Sequence, residues 1–241
     1  MASTTKIPYL KFLAFGVVIT IGQTAAVAQT AQAVTPQQVC VTNGVISTQR
    51  DQSFIVESPS SRAVVKPSDD NFGAIEFEYL GPTTKEVPLD SGRMVHQLGL
   101  KLHARDSCNV IYVMWSVEAD TGFKVTTKTN PSKSTNRECG TDGYKMIYQS
   151  KPGDIPPVKI GEPRRLEASL RERTLTVKID GNNVWQGEVG VDSAKAPGYS
   201  GIRTDNVRAR FRWFATPPTS DAVPSVGDEP RAVCKPVVAA R

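Results

Sequence analysis

Histidine is nearly absent from this chain: His96 and His103 are the only two in 241 residues. No G-x-S-x-G segment occurs, so a Ser/His/Asp triad cannot be assembled. C-x-x-C is also missing. The four cysteines lie 68, 31 and 95 residues apart, a spacing that suits no common zinc finger. No segment after the N-terminus has 18 consecutive apolar residues, which leaves nothing to span a membrane as a helix. No Asn-x-Ser/Thr acceptor survives, because Asn130 is followed by Pro131. Long runs of one charge sign are missing too. The formal net charge is only +5, with 24 acids interspersed among 29 bases. That is no basic face or run, so nucleic acid is not an expected partner. Neither a cofactor nor a metal is called for.

What is present begins with an address. Met1–Lys11 is short and basic, Phe12–Ile21 is an apolar run, and Ala26-Val27-Ala28 is a small-x-small cleavage site. This is the pattern of a secretory signal peptide over 1–28. Cleavage would leave a mature chain of 213 residues starting at Gln29, with its charge reduced to +3 by the loss of Lys6 and Lys11. The expected location is secreted or periplasmic. In that oxidising setting, Cys40, Cys108, Cys139 and Cys234 read as two disulfides, with three connectivities open.

The body alternates with period two. Ile75, Phe77 and Tyr79 alternate with Glu76 and Glu78. Met94, His96, Leu98, Leu100 and Leu102 alternate with Gln97, Lys101 and His103. Residues 109–118 are apolar on both faces, as in a central strand. Lys124, Thr126, Lys128 and Asn130 make the polar side of the next strand. Leu166–Leu170 and Leu175–Ile179 form a hairpin, and Asp180-Gly181 is a turn before Val184 and Trp185. Val207, Ala209, Phe211 and Trp213 alternate with Arg208, Arg210 and Arg212. No long segment beyond the signal has helical periodicity. Many short strands with Gly, Pro and Asn turns predict an all-β, two-sheet antiparallel jelly-roll sandwich over 39–215. It is flanked by a loose leader over 29–38 and a Pro-rich tail over 216–241 that Cys234 pins to the body.

Two stretches carry a resemblance. L-E-A-S-L-R-E-R-T-L-T-V-K-I-D-G-N-N-V-W, Leu166–Trp185, and G-Y-S-G-I-R-T-D-N-V-R-A-R-F, Gly198–Phe211, resemble the concanavalin A-like lectin/glucanase (laminin G-like) superfamily. In that sandwich the first and last segments run close together. The resemblance therefore implies Cys40–Cys234, with Cys108–Cys139 bridging the turns that bound the 109–130 strand pair. It also implies glycan binding on one sheet face, because relatives often bind sugars there.

The residues depart from the retaining glucanases of that fold, whose Glu-x-Asp-x-x-Glu strand supplies nucleophile and acid. Glu76 and Glu78 are followed by Gly81 at the last position. Glu118 and Asp120 are followed by Phe123. Glu76, Glu78, Arg208, Arg210 and Arg212 read instead as cross-strand pairs on a solvated face. The expected ligand-binding residues are the polar sides of successive strands: Gln97, Lys101 and His103; Tyr112 and Glu118; Lys124, Lys128 and Asn130; with Tyr144 beyond. Lysines bind carboxylate or sulfate as point charges, and Tyr supplies a stacking face. His96 reads as a core residue and His103 as the functional one. Trp115 and Trp213 fit core stripes, and Trp185 is expected to be partly exposed. The leading reading is a non-catalytic module that binds an acidic polysaccharide or cell-envelope glycan. A polysaccharide lyase or glycoside hydrolase of the same fold is the rival. In a lyase, His103, Tyr112 and Lys128 would carry the chemistry. A structural envelope protein that binds another protein through a sheet edge is the third reading.

Overall fold

The computed structural model describes residues 1, 30–118, 122–149, 151–152, 154–190, 198–218 and 234–239. The signal segment expected over 1–28 therefore lies, but for Met1, outside the described residues. In chain order the first strands are β1 (Gln32–Ala33), β2 (Val39–Asn43), β3 (Ile46–Thr48), β4 (Phe54–Val56), β5 (Ser60–Val65) and β6 (Phe72–Pro82). Next come β7 (Gln97–Leu102), β8 (Val110–Ser116), β9 (Phe123–Lys128), the single helical turn α1 (Asn136–Cys139), β10 (Tyr144–Ile147) and β11 (Lys151–Pro152). The last are β12 (Pro163–Arg171), β13 (Thr174–Ile179), β14 (Asn182–Glu188), β15 (Gly201–Asp205), β16 (Val207–Ala215) and β17 (Val238–Ala239).

They form two mostly antiparallel sheets, a jelly-roll sandwich. The larger sheet runs β11-β14-β13-β12-β6-β16-β4-β3-β17, with β1 beside β16; the smaller runs β10-β9-β8-β7-β15-β5-β2. The alternation read from the sequence places the core between them. Ile75, Phe77, Leu166, Leu175, Val177, Ile179, Phe211 and Trp213 point inward from one sheet, and Leu98, Leu100, Ile111, Val113 and Trp115 meet them from the other. Phe77 and Trp115 close edge-on across the gap, with ring centroids 5.5 Å apart. At the β13–β14 turn, Asp180 and Gly181 both take positive φ, +50° and +84°. A two-residue turn of this hand matches the strand twist.

On the outer side of the larger sheet the charged residues pair across strands. Glu76 lies opposite Arg212 and Arg165, and Glu78 opposite Arg210. Arg165 Nη1 lies 2.7 Å from Glu76 Oε1, and Arg210 Nη1 lies 3.8 Å from Glu78 Oε2.

Three expectations need correcting. The leader is not loose, because Gln32 and Ala33 pair with Ala215 and Phe214 of β16, and a 3-10 turn follows at Pro36–Gln38. The tail holds a short element: β17 runs parallel to β3, and Lys235 bridges to Val41 beside the Cys40–Cys234 disulfide. Trp185 is 3% exposed, because its register sets it opposite Val177 in the core. Both disulfides, Cys40–Cys234 and Cys108–Cys139, are formed.

Candidate functional site

The smaller sheet carries unusual chemistry on the face turned away from the core. Side chains alternate across a strand, so the register decides which residues share that face. One cross-strand row is Met146, Thr126, Tyr112, Lys101, Gly201 and Val64. Tyr144 and Lys128 stand in the row to one side. On the other side run Lys124, Met114, Gly99, Arg203 and Arg62, and beyond them Gln97 faces Asp205. Six expected ligand residues are thus brought together: Gln97, Lys101, Tyr112, Lys124, Lys128 and Tyr144.

Between them lies a chain of rings and cations. Gly99 has no side chain, so Arg203 leans across β7 and stacks its guanidinium 5.0 Å from the Tyr112 ring centre. Tyr112 stacks in turn on Tyr144, with centroids 6.1 Å apart and planes 25° apart. Lys128 Nζ sits 4.9 Å from the Tyr144 ring centre and donates to the Gly140 carbonyl at 2.7 Å. Asp205 anchors the other end. Its Oδ2 accepts from Arg203 Nε and from Gln97 Nε2, each at 2.8 Å.

The electrostatics follow from burial. Desolvation, and behind it the Arg62 and Arg203 charges, lowers the Lys101 amine to about 7. Burial likewise pushes the Tyr112 phenol up to about 12, against the pull of Arg203. For Arg203, burial works against the charged form, but Asp205 and the two tyrosines more than restore it.

Two loops border this face. The first, 129–143, follows β9 and carries α1. The Cys108–Cys139 bridge ties it down, and it rests on Lys128 through Gly140. Asn109 secures its start. It donates through Nδ2 to the Asn130 and Lys133 carbonyls, at 3.1 Å and 3.0 Å, and accepts from the Asn130 amide at 2.9 Å. The second loop, 83–96, is rooted at the opposite end of the sheet, where Asn206 exchanges hydrogen bonds with Val87 and donates to the Val95 carbonyl. Its tip reaches α1, where Asn136 Nδ2 donates to Asp90 Oδ2 at 3.2 Å. The seven residues of β8 span about 20 Å. A loop rooted at one end and bonded at the other must therefore run along the outer face as a strap. Lys101, Tyr112, Lys128 and Arg203 are 6%, 5%, 1% and 7% exposed, whereas Tyr144 and Met146 are 44% and 47% exposed. Tyr144 and Met146, at the β10 edge, are therefore the accessible members of this group.

The remaining expected residues lie elsewhere. Asn130 is a brace of the 129–143 loop, its Nδ2 donating to the Asp142 carbonyl at 3.0 Å. The two histidines are reversed from expectation. The strand starts at Gln97, so His96 is outside the core; its Nδ1 and Nε2 lie 2.8 Å from Glu118 and 2.9 Å from Glu86. Glu118 is engaged there and not on the sheet face. His103 falls one residue past the strand and takes φ +47°, which turns its ring away from the face. It is 6% exposed, with Nδ1 3.0 Å from Asp70 and Nε2 3.1 Å from Asn71. Burial opposes the Asp70 charge, and the bonds from His103 and Gly198 outweigh it, holding that carboxyl below its ordinary range. The trio His103, Tyr112 and Lys128 therefore does not converge on one point. Among the described residues no group of three His, Cys, Asp or Glu side chains is placed to hold a metal ion.

The sequence reading leaves out Arg62, Arg203 and Asp205. The signal for two of them was at hand, since Arg203 and Asp205 lie inside the Gly198–Phe211 stretch that carries the resemblance.

No family model matches the sequence, and no curated protein matches it either. Solved structures do. A carbohydrate-binding module, CBM66 from Bacillus subtilis, superposes with a TM-score of 0.50 at 13% identity, over 72% of this chain and 91% of that one. Domain 4 of AbnA, a GH43 extracellular arabinanase from Geobacillus stearothermophilus in complex with arabinotriose, gives 0.40 at 10% identity, over 77% and 85% of the two chains. The Caenorhabditis elegans galectin LEC-6 gives 0.39 at 9%, over 68% and 94%. The chain has the concanavalin A-like jelly-roll fold.

Proposed function

We propose that the chain is a secreted or periplasmic glycan-binding module that holds an acidic polysaccharide on the outer face of its seven-stranded sheet, without turnover. In this reading residues 1–28 direct export, 39–215 form the module, and 216–241 are a tail fastened by Cys234. The observation that carries it is the Tyr144 ring. It is half-exposed at the sheet edge, yet held between Tyr112 and the Lys128 ammonium. A ring already fixed in place stacks on a sugar with little further loss of side-chain freedom. The cations around it favour a ligand of negative charge. The fold shared with a carbohydrate-binding module sets the ligand class to test first.

Binding without turnover is supported by where the candidate catalytic groups lie. His103 is turned away from the face, its Nδ1 3.0 Å from Asp70 and its Nε2 3.1 Å from Asn71. Glu76 and Glu78 sit in ion pairs on the other sheet.

The test is calorimetry at low salt with uronate-rich and neutral polysaccharides. Binding of the acidic glycan is expected, weakened by added salt and lost in Tyr144→Ala with little change in melting temperature. If no charged glycan binds, the reading fails. If unsaturated uronate accumulates by its ultraviolet absorbance, the protein is a lyase and the non-catalytic reading is overturned.

A further inference from the structure

The centre of the outer face is built as a checkerboard. On β7 and β15 the register sets Gly99 beside Arg203, and Lys101 beside Gly201. The two cations occupy one diagonal and two glycines the other, and Arg203 uses the room at Gly99 to reach Tyr112. Arg62 flanks Arg203 on β5. The acids in reach are few. Asp205 serves Arg203 and Gln97 and lies 3.9 Å from Arg62. Asp106 is taken by Arg105, the Cys108 amide and Asn109. Lys101 Nζ has no hydrogen-bond partner among the described residues, although the residue is only 6% exposed. A buried amine beside two guanidiniums, with one carboxylate shared among them, costs the folded protein stability. Such a group gains most from an anion supplied by a ligand.

We propose that Lys101, Arg203 and Arg62 form a subsite for a single anionic oxygen group of the bound sugar, a uronate carboxylate, on the outer face of β7 and β15. This rests on the glycan-binding reading and adds a point of recognition distinct from the Tyr144 ring. The groups facing Lys101 are Arg62, Arg203, Asp106 and the Tyr112 phenol. An anion placed among them reverses the local balance, so filling the subsite draws a proton onto Lys101. A sulfate ester offers the same chemistry, and the test separates the two.

The experiment follows the Lys101 side-chain carbon and the Tyr144 ring by NMR in the intact mature protein. Added probes are sodium glucuronate, its methyl ester, glucose 6-sulfate and, as a control, sodium chloride. Glucuronate is expected to saturate the site and raise the pH at which Lys101 titrates, with about tenfold or greater preference over its ester. Lys101→Met should abolish that preference, keep the Tyr144 shifts and raise the melting temperature. A response to glucose 6-sulfate and not to glucuronate would keep the anion subsite and assign it to sulfate. An equal response to chloride means an adventitious ion only and overturns the proposal. Tyr144 shifts with a uronate-rich polysaccharide while Lys101 stays unmoved would overturn the subsite and leave glycan binding standing. Silence at both positions would end both readings. The titration of Lys101 in the unaltered protein decides the matter even if the Met variant fails to fold.

Discussion

The Asp90 carboxylate accepts a hydrogen bond from the Asn136 side chain, 46 residues away and from the opposite end of the smaller sheet. It joins the tip of the 83–96 strap to α1, and no other hydrogen bond between the two loops is found among the described residues. The centre of the outer face is therefore covered, with Lys101, Tyr112, Lys128 and Arg203 all buried. It is bridged at one exposed point.

An exposed neutral–charged bond of this kind contributes about 1 kcal/mol. Asp90→Ala and Asn136→Ala should each loosen the strap, with amide exchange near Leu89 and Gly92 roughly five-fold faster and global melting unchanged. Ligand association should speed up in both variants. Hydrogen-exchange mass spectrometry and stopped-flow binding read these effects. Unchanged exchange in both variants would mean that the strap is held from its Asn206 root alone.

The root of the same strap depends on pH. His96 holds Glu86 of the strap on one nitrogen and Glu118 on the other, and it can donate to both only as the imidazolium. Burial works to lower its pKa, but the two carboxylates outweigh it and raise the folded value above 6.5. Tyr79 and Arg208 complete the surroundings. The Tyr79 phenol is raised first by burial and then by Glu86. A raised histidine pKa stabilises fully below the unfolded value and loses that contribution as pH climbs through the folded one. Thermal melts of wild type and His96→Gln should therefore differ most in mildly acidic buffer and converge in alkaline buffer. A gap that stays constant across the neutral range would refute the assignment.

What was legible in the chain, and what was not, follows from distance along it. The inward stripes such as Leu175, Val177 and Ile179 are local periodicity, and the Asp180-Gly181 turn is local chemistry. The shared face of Lys101, Tyr112 and Lys128 is a matter of strand parity, which short-range alternation transmits. Burial of that face was illegible, because it depends on a strap anchored by Asn206, 119 residues from Val87. The histidines were misread for a smaller reason. The strand begins one residue after His96 and ends one residue before His103, so parity carried past either end assigns the wrong face. Trp185 was misjudged from its place near a turn, although its partner across the ladder is Val177.

The two disulfides should separate by their effects. Cys108–Cys139 closes a separation of 31 residues, for which loop-closure entropy gives about 3–4 kcal/mol. It also fastens the loop that rests on Lys128. Cys40–Cys234 closes 194 residues, worth about 5 kcal/mol on the same basis, and holds the tail beside β2. Paired serine substitutions at 108 and 139 should lower both melting temperature and glycan affinity. The same change at 40 and 234 should lower the melting temperature and expose the tail to protease while sparing affinity. Equal loss of affinity in both would place the site elsewhere.

Lys128 and Lys101 stand on the same face and should respond to substitution with opposite signs. Lys128 is 1% exposed, and burial pushes its amine below the ordinary lysine range. It has partners all the same: the Gly140 carbonyl accepts its hydrogen bond and the Tyr144 ring lies against its charge. Lys128→Ala strands that carbonyl, opens space beneath the ring and frees the 129–143 loop. The expected cost is about 2–4 kcal/mol, with glycan affinity falling because Tyr144 is no longer held. Lys128→Met keeps the stem and so the packing of Tyr144, and should lose only about 1–3 kcal/mol while retaining most of the stacking affinity. Lys101 has no such partner, and its loss should stabilise. Melting curves of the three variants, with calorimetry on a uronate-rich polysaccharide, check the order. A Lys128→Ala protein that melts like the wild type would show that Gly140 and Tyr144 do not depend on this amine.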